Sequence, residues 1–237
     1  MQFHLPKPLH GWRSFLGEVG VVLLGVLLAL GAQQLIVDIQ TRADVRAFRE
    51  TIDHEVGLNL FVYDVRAKEF GCKARQVAEL RTWLARARLG ASVPPIFAAP
   101  PDIITPYRSS WDNRDAAVFN HLPAKVRQKY AEFYDELANN WSEMQRELET
   151  WHRLSPYKEP GPITLADRRA IGPTIDSIQA LNGSLAGNFP ISSEIARVLN
   201  VGPVKPDNIP PSFLQRLESC RSIYVPPPAQ CSYGCGG

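Results

Sequence analysis

The four cysteines of this 237-residue chain are the side chains whose spacing points most directly to chemistry. They are Cys72, Cys220, Cys231 and Cys235. In an exported protein an even number of cysteines favours disulfides, and four cysteines allow three pairings. Cys231 and Cys235 lie close together in a Gly-rich tail and can meet readily, which by elimination leaves Cys72 to pair with Cys220. We therefore expect a disulfide that ties the last helix to the first long helix.

A metal or catalytic site is the alternative use of these thiols, and the spacing argues against it. Cys231-x3-Cys235 is not the C-x2-C of common zinc sites, and no histidine follows His152. The pair His54-Glu55 is not followed by the second histidine that an H-E-x-x-H site needs. The chain also lacks a G-x-S-x-G elbow, a phosphate-binding glycine loop and a dinucleotide fingerprint. The sequence thus predicts no metal, no cofactor and no enzymatic activity.

A concentration of basic side chains between residues 66 and 88 is the clearest charge feature. Two acidic and seven basic residues occur there, and the basic ones are Arg66, Lys68, Lys73, Arg75, Arg81, Arg86 and Arg88. We expect these residues to form either a face that binds an acidic protein, an anionic glycan or lipid headgroups, or a helix face that is merely solvated. The net charge of the whole chain is only +2, so a nucleic acid partner is not expected.

The element that precedes these residues is a long apolar stretch. Residues 15–37 contain a central run, residues 19–32, with no charged side chain. As a helix the whole stretch would be about 34 Å long, enough to cross a hydrocarbon core of about 30 Å. We predict a transmembrane anchor over residues 15–37 and a short cytoplasmic segment over residues 1–14, because a first helix usually enters with its N-terminus inside. The bulk of the chain would then lie outside the cytoplasmic membrane.

A cleavable export signal is the other interpretation of this stretch. Lys7 and Arg13 provide a basic start, and Ala29-Leu30-Gly31 is an acceptable cleavage site. The start is long and ends in Glu18, and the helical pattern continues past the cleavage site, which favours an uncleaved anchor. Both interpretations export the rest of the chain.

One face of the predicted membrane helix carries a stripe suited to helix–helix contact. Its members recur at three- and four-residue steps and are Glu18, Val22, Gly25, Ala29 and Gln33. Gly25 and Ala29 form a small-xxx-small pair, which permits close approach of two backbones, so we expect self-association through this stripe. Glu18 can also be interpreted as a boundary residue near the inner headgroups.

Helical patterns account for most of the chain after the apolar stretch. Apolar residues at three- and four-residue steps predict one long helix over about residues 33–89, bent or broken near Gly57 or Gly71. A proline-rich link follows, and then a short helix over residues 111–122 that one of the two preceding serines would cap.

The helix predicted to begin at Pro123 has the clearest pattern of the chain. Its heptad spacing is typical of a packing seam or coiled coil. The predicted seam consists of Val126, Tyr130, Phe133, Leu137, Trp141 (or Asn140), Met144, Leu148 and Trp151.

Further helices are predicted towards the C-terminus. Thr164 and Asp167 resemble a capping box that opens a helix. Gly172-Pro173 should kink or interrupt this helix, and Phe189-Pro190 should end it. Two shorter helices are expected between residues 191 and 218.

These patterns predict an all-α fold in which an N-terminal transmembrane helix continues into an elongated bundle of three or four main helices. Residues 38–222 would form the exported helical domain, and residues 223–237 a tail rich in Pro, Gly and Cys.

The stretch GWRSFLGEVGVVLLGVLLALGAQQ and the layout after it resemble an uncharacterised family of bacterial single-pass envelope proteins. That layout consists of a long helix with a C...LRTWL segment, a proline-rich link, SSWDNRDAAVFNHLP, and a YAEFYDEL helix. The resemblance covers most of the chain and weakens after about Pro203. It implies a membrane anchor and a helical architecture, and it transfers no catalytic residue because the family has no assigned activity.

The functional expectation is a non-catalytic scaffold or partner-binding subunit of the bacterial envelope, with another protein or a second copy of the chain as partner. The alternative is a sensory or regulatory accessory whose helical bundle binds a small ligand. Trp111 together with Tyr130 or Tyr134 would line the pocket of such an accessory.

Overall fold

The computed structural model describes residues 12–218 and 220–226. Its elements in chain order are α1 (Trp12–Arg86), β1 (Ser92–Val93), α2 (Ser109–Asp112), α3 (Ala116–Asn120), α4 (Ala124–His152), a 3-10 turn (Ser155–Lys158), β2 (Gly161–Pro162), α5 (Leu165–Leu199) and α6 (Pro211–Glu218). The two short strands pair antiparallel. The structure is 74% helical and contains almost no strand. The predicted all-α fold is therefore confirmed, including a long apolar N-terminal helix that continues into a helical bundle.

The chain divides into two units. The first ends at Arg49 and also contains Asp115–Leu122, and the second contains Glu50–Arg114 and the chain from Pro123 onwards. In the first unit the rings of Phe48 and Phe119 meet edge to face, with their centroids 6.1 Å apart.

The short helix predicted over residues 111–122 is two helices in the structure, α2 and α3. Asp115 has an extended backbone, and its side chain accepts hydrogen bonds from the amides of Ala117 and Val118, so it starts a new helix. The predicted serine cap is wrong, since α2 follows Arg108 and has no side-chain cap. The hydroxyl of Ser109 instead donates to Glu55.

The predicted break near Gly57 or Gly71 is wrong, because α1 is one unbroken helix of 75 residues. A bend at either glycine stays a prediction. At Gly57 the missing side chain permits a close approach of the 202–204 segment. A Cβ there would lie 2.6 Å from Val204 Cγ2 and 2.9 Å from the carbonyl oxygen of Gly202. The amide of Val204 donates to the carbonyl of Gly57 over 2.9 Å. This glycine therefore serves the packing of the 202–204 segment against α1.

Helix α5 runs through both of its prolines, so the predicted interruption at Gly172-Pro173 and the predicted end at Phe189-Pro190 are wrong. Pro173 and Pro190 are exposed, so each ring faces solvent and each missing N–H costs only one hydrogen bond. Buried residues continue at helical spacing on both sides, and this packing maintains the helix. The predicted capping box of Thr164 and Asp167 is confirmed at its start.

The core of the second unit joins α1, the end of α4, α5, the proline-rich link and the C-terminal segment. Its members are Val77, Leu80, Trp83, Ala87, Val93, Ile96, Ala98, Trp151, Leu154, Ile163, Ile171, Ile175, Ile178 and Ile223.

Helix α4 packs against α5, and most of its predicted seam is confirmed. The confirmed seam residues, all buried, are Tyr130, Phe133, Leu137, Met144 and Trp151. Asn140 and Glu147 complete the buried stripe, whereas Trp141 and Leu148 are only half-buried. Polar side chains of α4, Asn140 and Glu147 among them, therefore face the interior. The coiled coil itself stays a prediction.

Candidate functional site

Three charged side chains lie on the buried face of α1, at three- and four-residue steps. Arg66, Glu69 and Lys73 are only 1%, 7% and 5% exposed. The prediction that Arg66 and Lys73 belong to an exposed basic face is therefore wrong. Together with Glu147 of α4 they form a buried charge cluster inside the helical domain.

Arg66 and Glu147 form the central ion pair of this cluster. Nη2 of Arg66 lies 2.7 Å from both carboxylate oxygens of Glu147 and 3.1 Å from Oδ1 of Asn182 on α5. The guanidinium carbon also lies 4.6 Å from the centroid of the Phe70 ring. Nε and Nη1 of Arg66 have no acceptor among the described residues. The pair thus links three helices, and Arg66 depends on Glu147 for most of its charge compensation.

Lys73 is held by neutral partners. Its Nζ donates to the carbonyl oxygen of Ala99 over 2.9 Å and to Oε1 of Gln76 over 3.4 Å. It also lies 5.2 Å from the centroid of the Trp151 ring. Burial lowers the pKa of Lys73, and the nearby charge of Glu69 opposes this shift.

Glu69 completes the cluster as a buried carboxyl that accepts a hydrogen bond from the amide of Asp102 over 3.3 Å. Burial raises its pKa from 4.5 to about 7, although the positive charges of Lys73 and Arg66 oppose the shift. This carboxyl therefore takes up and releases a proton near neutral pH, inside the protein.

Glu69 should make the stability of the domain depend on pH. The folded state keeps the proton up to about pH 7, whereas an unfolded chain releases it near its ordinary pKa, so stability falls as pH rises through this window. We expect the free energy of unfolding of the wild type, relative to Glu69→Gln, to fall by roughly 3 kcal/mol from pH 4.5 to pH 8. Urea unfolding followed by tryptophan fluorescence measures it, and exposed Glu149→Gln is the control. A difference that is constant or grows with pH would contradict the assignment.

A buried carboxylate outside this cluster, Glu55, fixes the start of α2. Its oxygens accept hydrogen bonds from the amides of Ser110 and Trp111, over 2.6 and 3.1 Å, and from the hydroxyl of Tyr134 over 2.5 Å. Burial, and next the hydrogen bond to Glu55, raise the pKa of Tyr134. This carboxylate explains why α2 begins without a side-chain cap of its own.

The aromatic residues proposed to line a ligand pocket are engaged by the protein instead. The rings of Trp111 and Tyr134 are stacked, with their centroids 4.5 Å apart, and the hydroxyl of Tyr130 donates to Asp53. All three rings are buried. The burial and stacking of these rings count against a ligand pocket lined by them.

The other five members of the predicted basic face are exposed, namely Lys68, Arg75, Arg81, Arg86 and Arg88. Arg81 forms an ion pair with Asp176 over 2.6 Å. Nη2 of Arg75 lies 3.4 Å from the carbonyl oxygen of Cys220. Their role in binding a partner stays a prediction.

Cys72 and Cys220 form a disulfide, which confirms the predicted pairing of α1 with the end of the last helix. The chain after it is held against α1, because Glu79 accepts from Ser222 Oγ and from the amide of Ile223. Cys231 and Cys235 lie outside the described residues. Within residues 12–218 and 220–226 no group of three or more His, Cys, Asp or Glu residues is arranged to hold a metal ion.

The five stripe residues Glu18, Val22, Gly25, Ala29 and Gln33 are all exposed on α1. Of the described helices, α1 alone is long and apolar enough to cross a membrane, with a mean hydropathy of 2.3 in its most apolar window and none of that window buried. A Cβ added to Gly25 would meet no atom within 4 Å. Contact of this stripe with another helix stays a prediction.

Fold and sites together define an all-α protein whose described residues include one candidate membrane helix, a disulfide and a buried charge cluster. No protein-family model, curated protein or solved structure matches the chain.

Proposed function

We propose that this chain is a single-pass protein of the bacterial inner membrane whose helical domain binds a partner on the periplasmic side and catalyses no reaction. The apolar surface of α1 carries this proposal. Every Val, Leu, Ile and Phe side chain between residues 15 and 37 is at least 37% exposed. So long an apolar run is unfavourable in water, whereas a bilayer covers it completely.

The disulfide and the N-terminal charges support the orientation. Cys72 and Cys220 are joined, and such bonds persist in oxidising compartments such as the periplasm. Residues 1–14 carry Lys7 and Arg13 and no acidic residue, as expected for the cytoplasmic flank of a membrane helix.

The exposed basic residues of α1 support a protein partner. Spacings of seven and eleven residues, close to two and three helical turns, place Lys68, Arg75 and Arg86 on one face of the helix. This face points away from the buried charge cluster, and it suits an acidic protein surface.

One crosslinking experiment tests both parts of the proposal. The full-length chain carries a photoreactive residue at Arg75 in living cells, and the same residue at exposed Ala180 of α5 is the control. We expect a discrete protein adduct only from position 75, and an intact Met1 peptide in the membrane fraction. A mature N-terminus after Gly31 would contradict the anchor, and equal adducts from both positions would contradict the basic partner face.

A further inference from the structure

A pocket of about 450 Å³ opens between the end of α4, the 3-10 turn and α5. The buried side chains of Leu154 and Ile171 form its floor, and Pro173 adds an apolar wall. Arg153 and Arg169 line it as well. Its size is within the range of small-ligand sites, and its lining combines apolar surface with two cationic side chains.

In the part of the chain that the structure describes, no carboxylate compensates either arginine. Among the described residues no acidic group lies within ion-pair distance of Arg153 or Arg169. The acid nearest to Arg169 in sequence, Asp167, is engaged by the amide and hydroxyl of Thr164 and by the hydroxyl of Tyr157. Both guanidinium groups thus keep their hydrogen-bond donors available.

Each hydroxyl group that lines the pocket already donates a hydrogen bond to an oxygen atom of the protein. Tyr157 donates to Asp167 over 3.1 Å, Thr174 to the carbonyl of Ala170 over 2.8 Å, and Ser177 to the carbonyl of Pro173 over 2.9 Å. The two guanidiniums are therefore the donors that the described lining offers to a ligand, and they select for an anion.

The surrounding end of the domain strengthens this selection. Residues 86–93 and 152–170 meet there, because the amide of Gly90 donates to the carbonyl of Ile163 over 3.0 Å and Arg168 reaches the carbonyl of Ala87. These two segments contain six basic and two acidic residues, a net charge of +4, against +2 for the whole chain. A concave site inside a field of one sign concentrates ligands of the opposite sign.

We propose that this pocket binds a small organic carboxylate, with its carboxylate between Arg153 and Arg169 and its apolar body on Leu154, Ile171 and Pro173. An arginine fork matches the geometry of a carboxylate, and the apolar floor favours a carboxylate that carries a hydrophobic group over a bare ion. This ligand site goes beyond the proposed partner face and does not depend on it.

The test uses 4-fluorophenylacetate as a probe, observed by fluorine NMR with the full-length chain in lipid nanodiscs and with empty nanodiscs as blank. We expect saturable binding with a Kd of about 1 mM or tighter. The neutral analogue 4-fluorophenylacetamide should bind to the wild type at least about tenfold more weakly than the probe does. The probe itself should bind to Arg153→Gln or to Arg169→Gln at least about tenfold more weakly than to the wild type. Both arginines are exposed, so their variants should keep the wild-type thermal midpoint.

The matched control is the double variant Arg86→Gln, Arg88→Gln, which removes two charges from the same end of the domain without touching the pocket. This double variant should weaken binding of the probe by less than about threefold. Equal losses in the control and in the pocket variants would overturn the proposal, because they would indicate a general charge effect. Equal binding of the amide, or no saturation above the blank, would overturn it too.

Discussion

Replacing Glu147 by glutamine is expected to lower the free energy of unfolding by about 3–5 kcal/mol. The carboxylate is fully buried and compensates Arg66, which is itself 1% exposed. After the substitution the guanidinium keeps its full charge in the interior, with only neutral partners such as Asn182 within hydrogen-bond distance. An isolated buried charge is among the few changes that produce a loss of this size. Urea unfolding of the full-length chain in detergent, followed by fluorescence of the buried tryptophans, measures it.

Two control variants distinguish the cost of leaving the charge of Arg66 uncompensated from the cost of losing a salt bridge. Arg66→Met with Glu147→Leu removes both charges and fills similar volume, so it should be within about 1–2 kcal/mol of the wild type or more stable. Asp176→Asn breaks the exposed pair with Arg81 and should change stability by less than about 1 kcal/mol. A double variant as unstable as Glu147→Gln would show that the ion pair contributes through its specific geometry, against our expectation.

Helical periodicity in the sequence indicates that the residues of the buried charge cluster lie on the buried face of α1. Residues at positions 52, 56, 59, 63, 66, 69, 73, 77 and 80 follow one another at three- and four-residue steps, and most are buried apolar groups. Arg66, Glu69 and Lys73 occupy these same steps between Tyr63 and Val77. The charge of these side chains favours exposure to solvent, whereas their positions on the helix place them on its buried face. Arg66 is buried because Glu147 and Asn182 on other helices bind it. The pattern of a single helix cannot reveal such partners.

Features with a local physical cause could be predicted, and those with a tertiary cause could not. The capping box of Thr164 and Asp167 requires only four consecutive residues, and it is present. The effect of Pro173 and Pro190 depends on burial along the whole of α5, so the local rule that proline ends a helix predicted two breaks that do not occur. Glu55 is a comparable case, since it accepts from amides of α2 that lie 55 and 56 residues away in sequence.

The disulfide is the other feature whose removal should have a large effect. Cys72 and Cys220 close a loop with a sequence separation of 148 residues. In the chain-entropy model, opening such a loop in the unfolded state costs about 5 kcal/mol of stability. The bond also fixes the chain that follows, where Gln76 donates to the carbonyl of Arg221 and Phe97 to the carbonyl of Ile223.

We expect Cys72→Ser with Cys220→Ser to lower the free energy of unfolding by up to about 5 kcal/mol, and to speed hydrogen exchange at the Phe97 amide. Both proteins in the comparison carry Cys231→Ser and Cys235→Ser, so that no other thiol can exchange with the bond under test. Ile223 is fully buried and its amide bonds to Glu79, so its packing could hold the segment without the bond. Unchanged exchange at Phe97 with a loss below about 1 kcal/mol would show that this packing is sufficient. Alkylation of Cys72 in the unreduced wild type would contradict the disulfide itself.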